Sequence, residues 1–200
     1  MHDGPDTGFH ALRTDRLILR RFSTDDIESF AAYRSNPDVA RYQSWDPPFT
    51  QAQAQDFIEA LAATDPDTPG KWFQFAVVEA SSGVHIGDLA AFVDGADPRL
   101  ARIGFTFATA THGNGYATEA ATGLLDYLFV ARHKHRVAAD CDIRNAPSIA
   151  VLERLGLRRE AHHRESAWWK SEWTDELVYA TLAEEWTARR RAVRGREAAG

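Results

Sequence analysis

Hydrophobic positions along the chain switch between a period of two and a helical spacing, and the switches outline the elements. In "DRLILRRF" (15–22), Leu17, Leu19 and Arg21 alternate with Ile18, Arg20 and Phe22, which predicts a first strand. "STDDIESFAAYRSNP" (23–37) opens on Ser23 with Asp26 three residues on and spaces Ile27, Phe30 and Ala31 helically. Asn36-Pro37 stops it. "TQAQAQDFIEALAA" (50–63) repeats the pattern, with Thr50 and Gln53 as a capping box and Phe57, Ile58 and Leu61 as its apolar stripe. The aromatic loop "ARYQSWDPPF" separates the two helices. "KWFQFAVVEA" (71–80) and "VHIGDLAAFVD" (84–94) read as strands of a hairpin around Ser81-Ser82-Gly83, and "RIGFTFATA" (102–110) as the next strand.

A second helix-forming region begins at residue 116. Ala117, Ala120, Ala121, Leu124, Leu125, Leu128 and Phe129 fall at i, i+3, i+4 spacing, so one face is core. "RVAADCDI" (136–143) is a strand with Val137, Ala139, Cys141 and Ile143 on one face. "NAPSIAVLERLG" (145–156) is a helix with Pro147 in its first turn and Gly156 as its C-terminal cap. "LRREAHHRES" and "WTDELVYATL" close the pattern as two strands. The order is β-α-α-β-β-β-α-β-α-β-β. It predicts an α/β (α+β) fold with a mixed, mostly antiparallel sheet of about seven strands flanked by about four helices. The helix from 116 is a crossover, so the strands either side of it form the one parallel pair.

Composition changes this picture little. Of 200 residues, 44% are hydrophobic and 26% charged, as expected for one globular domain with a sizeable core. No apolar run approaches the roughly 20 residues of a membrane helix. The first residues lack a basic stretch followed by an apolar one, so a cytoplasmic protein with no membrane association is expected. A single cysteine excludes an internal disulfide and a cysteine metal cluster; no metal is expected. Residues 188–200 carry five arginines and one glutamate, so a net −6 for the chain leaves −10 on the other 187 residues. The acidic body argues against direct nucleic-acid binding and favours a cationic substrate. We therefore expect one domain over 1–187, as a monomer or homodimer, and a basic tail over 188–200 that reads as a frayed helix end.

The stretch "THGNGYATEA" (111–120) carries the first chemical signal. A strand ends on Gly113-Asn114-Gly115 and turns at once into a helix. A helix start leaves about four backbone N–H groups without intrahelical partners and adds partial positive charge. Glycines let a ligand approach that backbone. The pattern predicts an anion site beyond the carboxyl end of the strand at 102–108.

At these residues the sequence resembles the GNAT superfamily of acyl-CoA-dependent N-acetyltransferases, in the branch of the ribosomal-protein N-terminal acetyltransferases (RimJ/RimL type). The resemblance runs from "LRTDRLILRRF" to "LAEEW". "HGNGYA" (112–117) looks like the family's Q/R-x-x-G-x-G/A loop, and "NAPSIAVLERLGL" (145–157) like its N-x-x-S helix. "RREAHHR" and "WTDELVYATLAEEW" look like its last hairpin. The resemblance implies acetyl-CoA as co-substrate. It implies that the loop from His112 through Gly113, Asn114, Gly115, Tyr116 and Ala117 to Thr118 binds the pyrophosphate through backbone N–H groups. It further implies that Phe105, Thr106 and Phe107 bond the pantetheine arm through their backbone, as a peptide adds to a strand edge, and that Asn145 helps hold the arm. His112 departs from the usual Gln or Arg and is mostly neutral at pH 7 if unperturbed.

The same resemblance makes Ser148 a proton donor to the leaving thiolate, although a first-turn serine can equally bond its own backbone. The base position on the strand after the N-x-x-S helix falls at Ala167. Glu165, two residues earlier, faces the same side of an ideal strand and is taken as the base. Asp88, His162, His163 and Glu28 are further candidates, each also readable as a surface group. Tyr42, Trp45 and Trp168 are assigned to acceptor binding, with Trp45 and Trp168 boxing an apolar or cationic group. Cys141 points to a core face, which argues for direct transfer in a ternary complex over an acetyl-thioenzyme. The function read from the sequence is acetyl transfer from acetyl-CoA to a primary amine. The acceptor would be a small molecule or a protein N-terminus, ribosomal proteins included. The alternatives are a non-catalytic acyl-CoA sensor on the same fold and a ribosome-associated factor acting through the Arg-rich tail.

Overall fold

A computed structural model describes residues 9–197. One eight-stranded sheet, ordered β1-β2-β3-β4-β5-β6-β8-β7, forms the frame. Its strands are β1 (Ala11–Arg13), β2 (Leu17–Arg20), β3 (Trp72–Glu79), β4 (His85–Val93), β5 (Leu100–Phe107), β6 (Arg136–Asp142), β7 (Arg158–Trp169) and β8 (Glu172–Leu182). The helices are α1 (Ile27–Arg34), α2 (Pro37–Ala40), α3 (Gln51–Ala62), α4 (Tyr116–Asp126), α5 (Ala146–Leu155) and α6 (Ala183–Glu197). Every strand pair is antiparallel except β5–β6, the two strands joined through α4.

The pattern undercounted the elements for local reasons. β1 has three residues, too few to show a period, and pairs with β2 through a tight turn closed by Thr14 N–H to Leu17 O at 2.9 Å. Asn36-Pro37 does end α1, but it also starts α2: the Asn36 side chain accepts from Asp38 N–H at 2.9 Å and Pro37 fills the first turn. α6 runs through the division expected at residue 187. It is tied to the body by buried Trp186, whose indole donates to Asp126 at 2.8 Å, and by Arg190, 3.0 Å from the same carboxylate. Both expected capping boxes form. Thr50 and Gln53 exchange bonds of 2.8 and 3.2 Å, and Ser23 N–H donates to Asp26 at 2.8 Å.

The sheet separates two apolar layers. Leu124, Leu125 and Leu128, with Leu152 and Leu155 from α5, pack on one face against Phe73, Phe75 and Leu89. Phe30, Tyr33, Ala54 and Ile58 of α1 and α3 form a smaller cluster on the other. β4 is the central strand that both layers squeeze. A Cβ on Gly87 would stand 2.5 Å from Thr106 O and 2.8 Å from the Phe107 ring, so only glycine lets β4 and β5 close here.

His85, at the start of β4, is buried between Ser29 and the backbone. Its Nε2 donates to Gly87 O and its Nδ1 accepts from Ser29 Oγ, both at 2.8 Å. Burial holds this imidazole below its ordinary range, against the pull of Asp26 and Asp88. A depressed histidine stabilises the fold above its unfolded value of about 6.5 and loses that contribution as pH falls below it. Urea denaturation at pH 7.5 and 5.5 checks this: the protein loses stability at the lower pH, and His85→Gln loses less. An equal loss in both would show that His85 does not carry the acid sensitivity.

Candidate active site

β5 and β6 stay together for three residue pairs, from Leu100 with Arg136 to Arg102 with Ala138. Beyond that, β5 stays on β4 and β6 stays on β8, and a gap opens between them. Ala108 N–H bonds Ile86 O, so the backbone of Thr106 faces β4. By strand alternation, the backbone groups of Phe105 and Phe107 face the gap, and Ile103 turns its C=O there while its N–H closes the last bridge to Ala138. Of the three positions expected to bond an extended arm, Phe105 and Phe107 therefore present backbone to the gap. Thr106 contributes its side chain instead.

A cleft of about 830 Å³ runs from this gap to the start of α4 and along α5. Phe105, Thr106, Phe107, His112, Gly113, Gly115, Tyr116, Ala117, Thr118, Asn145 and Ser148 all line it. Gly113 and Gly115 have φ of +80° and +78°, and Gly115 is the N-cap of α4. The first intrahelical bond runs from Glu119 N–H to Gly115 O at 3.0 Å, which leaves the N–H groups of residues 115–118 without helical partners. Thr118 Oγ1 is buried and without a hydrogen-bond partner among the described residues. Four free N–H groups and an orphaned hydroxyl at a dipole's positive end suit a phosphate-bearing ligand.

His112 donates Nε2–H to Phe107 O at 3.0 Å. The ring therefore braces the loop against β5 and occupies a carbonyl that would otherwise face the gap. Asn114 bonds Thr111 O at 3.3 Å and does not line the cleft. Asn145 caps α5 by accepting from Ser148 N–H at 3.2 Å. Arg154, on the last turn of α5, lines the far end of the cleft. Sequence reasoning passed over it because an exposed arginine on a helix carries no motif.

A second cavity of about 660 Å³ lies on the α1–α3 side of the sheet and shares Tyr42, Gln43, Phe105 and Thr106 with the first. Trp45, Phe57 and Trp72 form its apolar wall. Asp88, Asp140 and Glu176 bring carboxylates to it. Asp88 is 1% exposed, accepts from the Tyr33 hydroxyl and from Gln74 Nε2 at 3.3 Å, and lies 3.7 Å from the Arg34 guanidinium. Burial, then the Asp88 charge, push the Tyr33 hydroxyl well above its ordinary range, so it stays a donor.

Two expectations on β7 do not match this geometry. The β7–β8 register shifts between His163 and Ala167, and Glu165 has φ of +46°. The bulge breaks the alternation by which Glu165 was placed beside position 167, and Glu165 lines neither cavity. Trp168 is 57% exposed and packs edge-on against Trp173 at 5.3 Å, and Trp169 lines the second cavity instead. Trp45 does not box with Trp168. Its indole donates to Arg34 O at 3.1 Å and stacks on the Arg34 guanidinium at 4.0 Å. Lys170 bridges the hairpin tip to Trp45 O and Asp46 at 2.7 and 2.6 Å. His162 is paired with Asp175 at 2.6 Å, away from both cavities. Cys141 lines the second cavity, and burial, with Asp140, Asp142 and Glu176 around it, pushes its thiol up to about 12.

Among the described residues, no group of three or more His, Cys, Asp or Glu is arranged to hold a metal ion. No helix among them is long and apolar enough to cross a membrane.

Comparison with known proteins decides the family. The model of the "Acetyltransferase (GNAT) domain" matches residues 16–158. The chain belongs to the GNAT acetyltransferase family. It is 30% identical over 175 residues to the uncharacterized N-acetyltransferase YnaD of Bacillus subtilis, covering 88% of this chain and 98% of that one. A GNAT-family acetyltransferase from Bacillus anthracis superposes with a TM-score of 0.78 at 30% identity, covering 88% of this chain and 99% of that one. Mycobacterium smegmatis RimJ, solved in complex with CoA-disulfide, superposes with a TM-score of 0.75 at 27% identity, covering 93% of each chain. In this GNAT chain, the free N–H groups at 115–118 and the open edge of β5 lie along one continuous cleft.

Gly115→Asp tests the loop. It places a carboxylate where a phosphate would approach, at a φ that side chains other than glycine rarely adopt. Calorimetry is expected to show CoA affinity at least tenfold weaker, about 1.4 kcal/mol, with the fold retained by circular dichroism. Affinity within threefold of wild type would remove the loop from the phosphate site.

Proposed function

We propose that this chain transfers an acetyl group from acetyl-CoA to a primary amine by direct attack in a ternary complex. The observation that carries the proposal is the meeting of two cavities at Phe105 and Thr106. One reaches back to the phosphate-suited helix start. The other is a separate, aromatic-walled cavity with carboxylates at its floor. A thioester delivered along β5 would place its carbonyl carbon where the two join.

In this reading the acceptor enters from the side of Trp45, Trp72 and Trp169. An ammonium must lose a proton before it can attack. Asp88 takes that proton, directly or through one water, because it is the deepest carboxylate of the acceptor cavity and its backbone pairs with Thr106. Tyr33 and Gln74 hold the carboxylate in place. The free amine attacks the thioester carbon, the tetrahedral adduct loses its second N–H proton to solvent, the C–S bond breaks, and the CoA thiolate takes a proton. Ser148 is the proposed donor, reprotonated from solvent. It lines the CoA cleft from the first turn of α5, and its N–H is already satisfied by Asn145. The raised Cys141 thiol supports direct transfer over an acetyl-thioenzyme. Tyr42 lines both cavities and is the proposed contact between the two substrates. A protein N-terminus and a small amine both remain within this reading, and relatives named as ribosomal-protein N-acetyltransferases support including protein acceptors.

Incubation with acetyl-CoA and a panel of alkylamines, amino acids and short peptides, read by free thiol release and product mass, tests the activity. Intersecting initial-rate lines are expected, and parallel lines would contradict direct transfer. CoA binding without turnover of any acceptor would favour the acyl-CoA sensor. With the best acceptor, Asp88→Asn is expected to lower kcat at least a hundredfold, whereas Glu165→Gln stays within threefold. The reverse order would return the base to β7.

A further inference from the structure

Glu119 poses a problem for an anion site. It stands in the first turn of α4 and lines the CoA cleft, where its carboxylate would repel a pyrophosphate. The structure shows what holds it. Arg16, in the turn between β1 and β2, donates to both of its oxygens, through the backbone N–H at 2.8 Å and through Nε at 2.6 Å. Thr14 Oγ1 adds a third bond at 2.6 Å. The carboxylate is turned toward the β1–β2 turn and saturated there.

The rest of the Arg16 guanidinium is differently placed. Nε is spent on Glu119, and Nη1 and Nη2 make no hydrogen bond among the described residues. Cζ lies 4.6 Å from the centre of the Tyr116 ring, so the group is held over that face. The Tyr116 hydroxyl donates to Glu79 at 2.7 Å, which fixes the ring from the other end. Nη2 lies 3.6 Å from the point where a Cβ on Gly115 would stand. Two uncommitted NH2 groups of a permanent cation thus remain, and one of them lies beside the residue whose N–H opens the anion site. His112, which occupies the loop position expected to carry charge, is committed to Phe107 O.

We propose that Arg16 is a ligand of the CoA pyrophosphate, with Glu119 and Tyr116 as positioning residues that hold its guanidinium beside Gly115. This rests on the placement of CoA in the cleft above but not on acetyl transfer. Glu119 then has a role that outweighs its repulsion. It fixes the arginine whose remaining donors neutralise the phosphate.

Calorimetry with CoA and with dephospho-CoA tests the inference without any acceptor. Arg16→Gln is expected to weaken both at least fivefold and to equal degrees, with Arg16→Lys intermediate. The dependence of affinity on salt concentration should also become shallower in Arg16→Gln, as one charge contact is lost; loss of a purely structural residue would leave that slope unchanged. Glu119→Gln separates the two readings of the carboxylate. Weaker CoA binding supports the positioning role, and tighter binding would show simple repulsion and overturn it. Affinity of Arg16→Gln within twofold of wild type, or a loss confined to CoA and spared for dephospho-CoA, would overturn the pyrophosphate contact. If wild-type protein binds CoA but acetylates no amine, the transferase reading fails and this inference stands.

Discussion

The short pairing of β5 with β6 is the constraint on which the rest of the structure depends. A parallel pair that closed along its full length would bury β5 inside the sheet and leave no edge for a ligand. Three pairs hold the two halves together, and the separation beyond Arg102 and Ala138 leaves the C=O of Ile103, both backbone groups of Phe105 and the N–H of Phe107 facing the gap. Unpaired backbone inside a fold is costly unless something satisfies it. An extended, amide-rich chain does so with the geometry of a missing strand. The helix start at Gly115 lies at the end of the same gap, so one ligand long enough to span both would carry amides at one place and phosphates at the other.

The two faces of the sheet then divide the work. On the α4–α5 face, a dense aliphatic core fixes the helix whose first turn meets the phosphates. On the α1–α3 face, aromatic rings surround the Arg34 guanidinium, and Tyr33 and Gln74 hold the carboxylate of Asp88. β4 lies between them and must approach β5 closely, which is why Gly87 can carry no side chain. A change on β4 is therefore felt on both sides at once.

Much of this was legible in the sequence, because the signals are local. The Gly113-Asn114-Gly115 turn, the helix stripe from Ala117 to Phe129 and the Gly156 cap each act within a few residues, and each takes the expected form. The single parallel pair follows from where the crossover helix must lie. What failed depended on partners distant in sequence or on broken periods. Glu165 is placed by counting along a strand whose bulge shifts the count, and Trp168 by the position of a hairpin tip whose Trp168 ring packs on Trp173. The burial of Asp88 is created by α1, about 55 positions away. The bonds from Arg16 to Glu119 span 103 positions, and nothing in either neighbourhood marks them.

The central claim is that the gap between β5 and β6 receives the arm of CoA while the start of α4 receives its phosphates. Amide hydrogen exchange followed by NMR, with and without saturating CoA, tests both at once. The account predicts slower exchange on CoA binding at the amides of Phe105 and Phe107 and at those of residues 115–118. Thr106, already bonded toward β4, should change little. Protection confined to other segments, with Phe105 and Tyr116 exchanging as fast as in the free protein, would contradict it.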